Sequence, residues 1–330
     1  MRILPPQKYL PTVKGLTYNI AACGGEAVFP LYASFKLTAR CHFGCPFCNV
    51  KKDMTPDLPT DAVKAVLDNL SRSSVLMTSF EGGEPLLRDD IGELLRYARK
   101  RCGFYLLFTT SVKDLESYPL EEYGRYIDFF HISIDEGHNN LSLYDALPRL
   151  VERIESQVSV QVVVTRDTMG SLEAKVARCH DAGANIVIIP ATHMDNTGDF
   201  FPDIGELERA VSRIRKKYPL TIHTPQGYFT AYRRARCSSA SIIIAPDGRL
   251  YYPCHIRGTK GPDLATADLS AWLTTREAKL FRVEMKQCTR NCGWYQYYAI
   301  GSYMSLFSSL RTLGPMLFQK KRKTAGDTEN

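Results

Sequence analysis

Three cysteines, Cys41, Cys45 and Cys48, sit in the run Cys41-His42-Phe43-Gly44-Cys45-Pro46-Phe47-Cys48, directly after the apolar stretch Leu31 to Leu37. Thiolates so close together are metal ligands. A tetrahedral zinc site takes a fourth protein ligand from nearby, whereas an iron–sulfur cluster takes one cysteine per iron and leaves one iron open when only three are supplied. His42 is the alternative fourth zinc ligand, although neighbours in a tight loop rarely turn to the same ion. Gly44 allows a tight fold around a cluster, and Phe47 would shield it from water. A second set of four, Cys237, Cys254, Cys288 and Cys292, lies near the other end. By chemistry alone four cysteines suit a structural zinc ion as well as a cluster. Cys23, Cys102 and Cys179 stand alone and read as small buried apolar residues.

The elements that must position these groups are legible from periodicity. Short runs rich in Val, Ile, Phe and Tyr (Leu31 to Leu37, Val75 to Phe80, Phe104 to Thr109, Phe129 to Ile134, Val158 to Thr165, Ile186 to Ile189) read as strands. Amphipathic runs follow them at Thr60 to Ser71, Asp89 to Lys100, Leu120 to Tyr126, Leu143 to Ser156, Ser171 to Ala182 and Ile204 to Tyr218. Thr60 after Pro59 and Asp89 before Ile91 mark two helix starts. Such alternation predicts an α/β fold with a parallel sheet and right-handed crossovers. Periodicity does not say whether that sheet is flat or curled. Residues 1–30 show no clear periodicity and read as a lead-in. Ile242 to Ile244, Pro246-Asp247-Gly248 and Leu250 to Tyr252 predict a β-hairpin with Cys237 and Cys254 at its outer ends.

The C-x-x-x-C-x-x-C spacing, with an aromatic before the last cysteine, resembles the cluster loop of radical S-adenosylmethionine (radical SAM) enzymes. The resemblance implies a partial (β/α)6 TIM barrel with its site at the C-terminal ends of the strands. It also implies that Cys41, Cys45 and Cys48 hold a [4Fe-4S] cluster, whose open iron chelates S-adenosylmethionine. Gly82-Gly83-Glu84-Pro85 after the second strand matches the family's G-G-E-P motif, which receives the methionine amine, with Glu84 as the side-chain acceptor. Read blandly, the same residues are a glycine turn. Ser133 and Asp135 resemble the S-x-D strand ending near the ribose or carboxylate, Asp135 being alternatively a catalytic acid or base or simply a turn residue. Arg166 is a candidate partner for the methionine carboxylate or a solvated strand-end arginine, and His193 a candidate proton-transfer group or a surface histidine. Thr109-Thr110-Ser111 departs from the family's T-N-G. A hairpin of the form C…G…C followed by a close cysteine pair resembles the Twitch domain, the shortened relative of SPASM. It implies a second, auxiliary [4Fe-4S] cluster on Cys237, Cys254, Cys288 and Cys292, serving electron transfer or structure.

Composition sets outer limits. With 330 residues, of which 44% are hydrophobic, the chain has enough material for a full core and a smaller second unit. Ten cysteines would be a disulfide framework in a small secreted chain, but Pro5 and Pro6 stand where a signal peptide needs apolar residues. A cytoplasmic protein with reduced cysteines is expected. The net charge of +7 gathers partly in Lys320-Lys321-Arg322-Lys323, and no RNA-binding aromatic motif accompanies it, so no nucleic acid is expected. Before it, Ile300, Tyr303, Met304, Phe307 and Leu310 are spaced as on a helix. An apolar face followed by basic residues fits a peripheral membrane contact; a helix packed on the barrel fits equally.

The expected domains are a lead-in (1–30), a radical SAM barrel (31–225), a Twitch-like unit (226–295) and a tail (296–330). The expected activity is reductive S-adenosylmethionine cleavage and hydrogen abstraction, fed by an external one-electron reductant of flavodoxin or ferredoxin type. The expected substrate is an apolar small molecule, lipid or tetrapyrrole. The alternatives are a peptide-modifying radical SAM enzyme, a non-catalytic zinc protein and an iron–sulfur electron carrier.

Overall fold

The computed structural model describes residues 3–21, 27–192, 200–234, 237–258, 261–290 and 292–301. Six strands, β1 (Tyr32–Thr38), β2 (Met77–Gly82), β3 (Tyr105–Thr110), β4 (Phe129–Ser133), β5 (Gln157–Val164) and β6 (Asn185–Pro190), pair in parallel with their chain neighbours. Helices α2 (Thr60–Arg72), α3 (Ile91–Arg101), α4 (Leu120–Tyr126), α5 (Leu143–Arg153), α6 (Leu172–Asp181) and α7 (Ile204–Lys217) follow them in turn. Each helix meets the sheet with the stripe its spacing supplies, as α7 does with Ile204, Leu207, Val211 and Ile214. Expected and observed elements agree to within a few residues. Thr60 is not the cap expected: its hydroxyl bonds Asp90 Oδ2 at 2.7 Å, and Pro59 occupies the cap position.

The predicted hairpin forms as β7 (Ser241–Ile244) and β8 (Leu250–Tyr251). Its first strand pairs in parallel with β1, giving one open eight-stranded sheet in the order β6-β5-β4-β3-β2-β1-β7-β8. The segment after the barrel therefore continues the barrel's own sheet. Short helices α8 (Gln226–Arg233), α9 (Leu269–Leu273), α10 (Arg276–Lys286) and α11 (Tyr295–Ala299) complete the described chain.

The lead-in is a sixteen-residue helix, α1 (Pro6–Ala21), which apolar periodicity did not reveal. Its buried residues are Lys8, Thr12, Gly15 and Asn19. Lys8 Nζ donates to the carbonyls of Leu70 and Ser71, both at 3.1 Å, and of Ser73 at 2.8 Å, satisfying the last turn of α2. Asn19 bonds Val28 N and Phe29 N at 2.9 and 3.0 Å. The helix docks by a polar stripe and leaves Leu10, Val13 and Ile20 exposed.

Period-two alternation gives the sheet two unlike faces. Ala33, Phe35 and Leu37 enter the core with Phe80, Phe108 and Ile132. The opposite face carries Ser34, Lys36, Ser79, Glu81, Thr109 and His131. Lys36 stands opposite Glu81 and Thr109 opposite His131.

Candidate active site

The cysteine loop leaves β1 at Thr38, at the end of the sheet where barrel enzymes place their chemistry. Cys45 is buried, Cys41 half-buried and Cys48 exposed, and Cys48 N donates to Cys45 O at 3.1 Å. Arg88, five residues past Gly83 and only 5% exposed, clamps both ends of the loop. Its Nη1 donates to Leu37 O and its Nη2 to Leu58 O, both at 3.0 Å. Asp90 holds the guanidinium by two bonds of 2.8 and 2.7 Å. Burial works against the Asp90 carboxylate, but the bonds from Arg88 and Thr60 prevail and hold its pKa below the usual range.

The end of β2 fits against the start of the same loop. Gly83 N donates to Thr38 O at 2.7 Å and Glu84 N to Arg40 O at 2.9 Å. A Cβ on Gly83 would lie 2.0 Å from Arg40 O, and Gly82 has φ +135°, so both positions require glycine. Glu84 turns inward. Fully buried, it accepts from Thr110 Oγ1 at 2.8 Å, Ser111 N at 2.9 Å, Ser111 Oγ at 3.1 Å and Leu86 N at 3.2 Å. Burial raises its pKa while these donors oppose the rise. The Thr-Thr-Ser departure thus supplies the donors that anchor Glu84, and Pro85 opens the short turn Pro85–Leu87 behind it.

Asp135 is also spent within the fold. Its Oδ2 accepts from Val163 N at 3.0 Å, and its Oδ1 from His138 N at 3.0 Å while lying 2.8 Å from His138 Nδ1. The His138 ring stands 5.9 Å from that of Phe43 and 5.8 Å from that of Phe47. Burial pulls this imidazole's pKa down, but Asp135 and the Cys45 sulfur outweigh it and hold the value at about 10. A Cβ on Gly137 would meet the Phe47 ring at 2.2 Å, so the loop after β4 packs directly on the cysteine loop. Asn140 ties the strand ends together, donating to Ser111 O at 3.0 Å and Ser133 O at 2.7 Å and accepting from Asp135 N at 3.2 Å. Ser133 is buried, and Arg166 is exposed at the end of β5. Sequence reasoning missed Arg88, His138 and Asn140. The one available signal was that each lies a few residues beyond a motif.

Cys237, Cys254, Cys288 and Cys292, up to 55 residues apart in sequence, lie within electrostatic reach of one another. Burial and the other three sulfurs push the Cys237 thiol up to about 12. Thiols that raise one another's pKa in this way are relieved by a bound cationic group. Tyr228 and Tyr297 are buried beside them, with Tyr228 Oη donating to Gly293 O at 3.0 Å and Tyr297 Oη accepting from His255 N at 2.8 Å. Among the described residues no three His, Cys, Asp or Glu side chains converge closely enough to hold a single metal ion. The fit of either group to a cluster is therefore one of donor chemistry, a thiolate for each iron. His193, Cys23 and most of the tail lie outside the described residues. No described helix is long and apolar enough to cross a membrane.

Residues 35–164 match the family model of the Radical SAM superfamily. The protein is an enzyme, and its radical SAM domain implies S-adenosylmethionine and one [4Fe-4S] cluster. The chain is 27% identical over 253 residues to the PqqA peptide cyclase of Gluconobacter oxydans, a match spanning 68% of this chain and 70% of that protein. It is 40% identical to the PqqA peptide cyclase of Rhodopseudomonas palustris over 85 residues, 25% of this chain and 22% of that protein. The structure of Streptococcus suis SuiB bound to precursor peptide SuiA shares the fold, with TM-score 0.65 and 14% identity over 92% of this chain and 80% of that one. These relatives overturn the expectation of a small-molecule or lipid-like substrate, which rested on an apolar, basic tail. A residue pattern in a tail reports a surface property and carries no information about what enters a barrel.

Proposed function

We propose that this chain is a peptide-modifying radical SAM enzyme with two [4Fe-4S] clusters, one on Cys41, Cys45 and Cys48 and the other on Cys237, Cys254, Cys288 and Cys292. The similarity to the PqqA peptide cyclase over most of both chains carries the substrate class. When bound, the first cluster and S-adenosylmethionine supply one-electron cleavage of the sulfonium and a hydrogen-abstracting radical.

The chain's own residues supply position. Arg88 and the Gly82-Gly83 pair fix the cysteine loop, and the carboxylate of Glu84 braces the strand ends. With that carboxylate occupied, and with the carbonyls of Glu84 and Pro85 accepting from Leu87 N and Arg88 N at 3.0 and 3.1 Å, the backbone carbonyls of the glycine pair are left to receive a cationic amine. His138 and Gly137 pack on the loop with Phe43 and Phe47 and shield its buried Cys45 from water. Four cysteines on the second cluster would fill its ligand positions and suit it to electron transfer or structure.

The test is anaerobic. The iron- and sulfide-reconstituted chain, with dithionite and S-adenosylmethionine, should form 5′-deoxyadenosine, and deuterium from a labelled peptide substrate should appear in it. Cleavage without transfer from any peptide offered, together with transfer from a small molecule, would refute the peptide reading.

A further inference from the structure

Helix α1 turns outward the kind of residue a helix normally buries. Six of the eleven large apolar side chains exposed among the described residues fall between Ile3 and Ile20. On α1 itself Tyr9, Leu10, Val13 and Ile20 are between 41% and 59% exposed. With the half-buried Leu16, Tyr9, Val13 and Ile20 stand at i, i+4, i+7 and i+11, which is one helix stripe. Lys8, Thr12, Gly15 and Asn19 hold the opposite side of the helix against the body, so the stripe is fixed facing out. A contiguous apolar strip on a rigid element marks a contact.

Leu16 joins that strip to the place where the described chain stops. It packs on Ala27 and Ala240, and Ile300 packs on the same pair. Ser238 N donates to Tyr297 O at 2.9 Å, and a Cβ on Gly301 would lie 2.9 Å from Ser238 Cβ, so the chain is pinned beside Ala240 up to its last described residue. Residues 302–330 therefore set out from the edge of the strip. From Ser302 to Leu310 they include no charged residue, and Tyr303, Met304, Phe307 and Leu310 continue the helical spacing that starts at Ile300. At 1.5 Å per residue a helix from Ile300 to Leu310 is about 15 Å long, enough to run from Leu16 past Tyr9, about 10 Å away.

Two other occupants suit the strip less well. A lipid surface favours apolar stripes flanked by Lys and Arg, but α1 exposes only Lys14, and Arg311 comes after the last apolar residue of the spacing. A second copy of the chain would have to bury about 1,200–2,000 Å² for a stable dimer, more than a few side chains of one helix supply. We propose that residues 302–310 form a helix antiparallel to α1, with Tyr303, Met304 and Phe307 covering Val13, Leu10 and Tyr9. The chain beyond the second cysteine group is thereby strapped to the N-terminal helix, and the two ends of the protein brace each other.

The test is a photo-crosslink in the full reconstituted chain. The photoreactive residue p-benzoyl-L-phenylalanine takes the place of the exposed Val13, and digestion with mass spectrometry after illumination maps what it has joined. The expected product has the mass of a single chain and links α1 to the peptide carrying Tyr303 to Leu310. Phe307→Asp should lower its yield about fivefold or more, because the carboxylate would be buried unpaired in the seam. A crosslinked dimer would overturn the proposal and assign the strip to a second copy. A lipid adduct in place of the tail adduct, on adding phosphatidylglycerol vesicles, would overturn it and assign the strip to a membrane surface. No adduct with the tail, or a yield that Phe307→Asp leaves unchanged, would overturn it as well. Should the Val13 variant fail to fold, the same photoreactive residue in place of Leu10 is read by the same outcomes.

Discussion

The two cysteine groups are built in opposite ways. Cys41, Cys45 and Cys48 share one eight-residue segment, and the fold's task is to hold that loop still, through Arg88 at its ends, Gly83 beneath and His138 above. Cys237, Cys254, Cys288 and Cys292 come from separate segments, so their meeting depends on the hairpin, on α11 and on the tyrosines between them. A local ligand set needs bracing, whereas a dispersed one needs the whole C-terminal fold to be right. The first leaves Cys48 exposed at its edge, and the second stays half-buried.

The largest expected effect separates the groups by function. Cys45→Ala should abolish 5′-deoxyadenosine formation to background. Cys292→Ala should lower iron content and peptide turnover while cleavage of S-adenosylmethionine persists, both read by chromatography after anaerobic reconstitution. Equal loss in the two variants would erase the distinction.

Next comes the brace. Arg88→Met leaves the half-buried Asp90 without its cation and the carbonyls of Leu37 and Leu58 without their donor, and should cost about 1–3 kcal/mol, measured by urea unfolding. Replacing Asp90 with Leu in the same chain should recover part of that. The pair also sets an acid limit. Because the folded pKa of Asp90 is depressed, its contribution is present above the usual aspartate value of about 3.9 and is lost as pH falls through the folded value. In Arg88→Met this acid-side loss should shrink.

Effects of similar or smaller size follow. Glu84→Gln keeps the shape but offers Ser111 N and its neighbours a poorer acceptor, for about 1–3 kcal/mol. Tyr228→Phe removes one buried bond to Gly293 O beside the second cysteine group, for about 1 kcal/mol. A Tyr228→Phe cost above that of Arg88→Met would mean that the C-terminal group, and not the loop, is the more tightly held.

The β/α units were legible because each helix buries an apolar stripe at its own period. Helix α1 was not, because it docks through Lys8, Thr12 and Asn19, the reverse of the pattern that periodicity detects. The hairpin was visible in Asp247-Gly248, but its pairing with β1 is a contact across some 200 residues that no local signal encodes. Among site residues the cysteines announced themselves by spacing. Glu84 and Asp135 were found by motif, but the partners they bind inside the fold could be seen only once Thr110, Ser111, Val163 and His138 were brought to them. Arg88 carries no motif. A guanidinium that bonds two distant carbonyls is recognisable only when those carbonyls are close in space.

The most direct test of two clusters built in two ways is an iron count with Mössbauer spectroscopy on the reconstituted wild type and on the Cys41→Ala, Cys45→Ala, Cys48→Ala triple variant. The account predicts about eight irons per chain in the first and about four in the second, all as [4Fe-4S]. Zinc at the C-terminal group, or a triple variant devoid of iron, would contradict it.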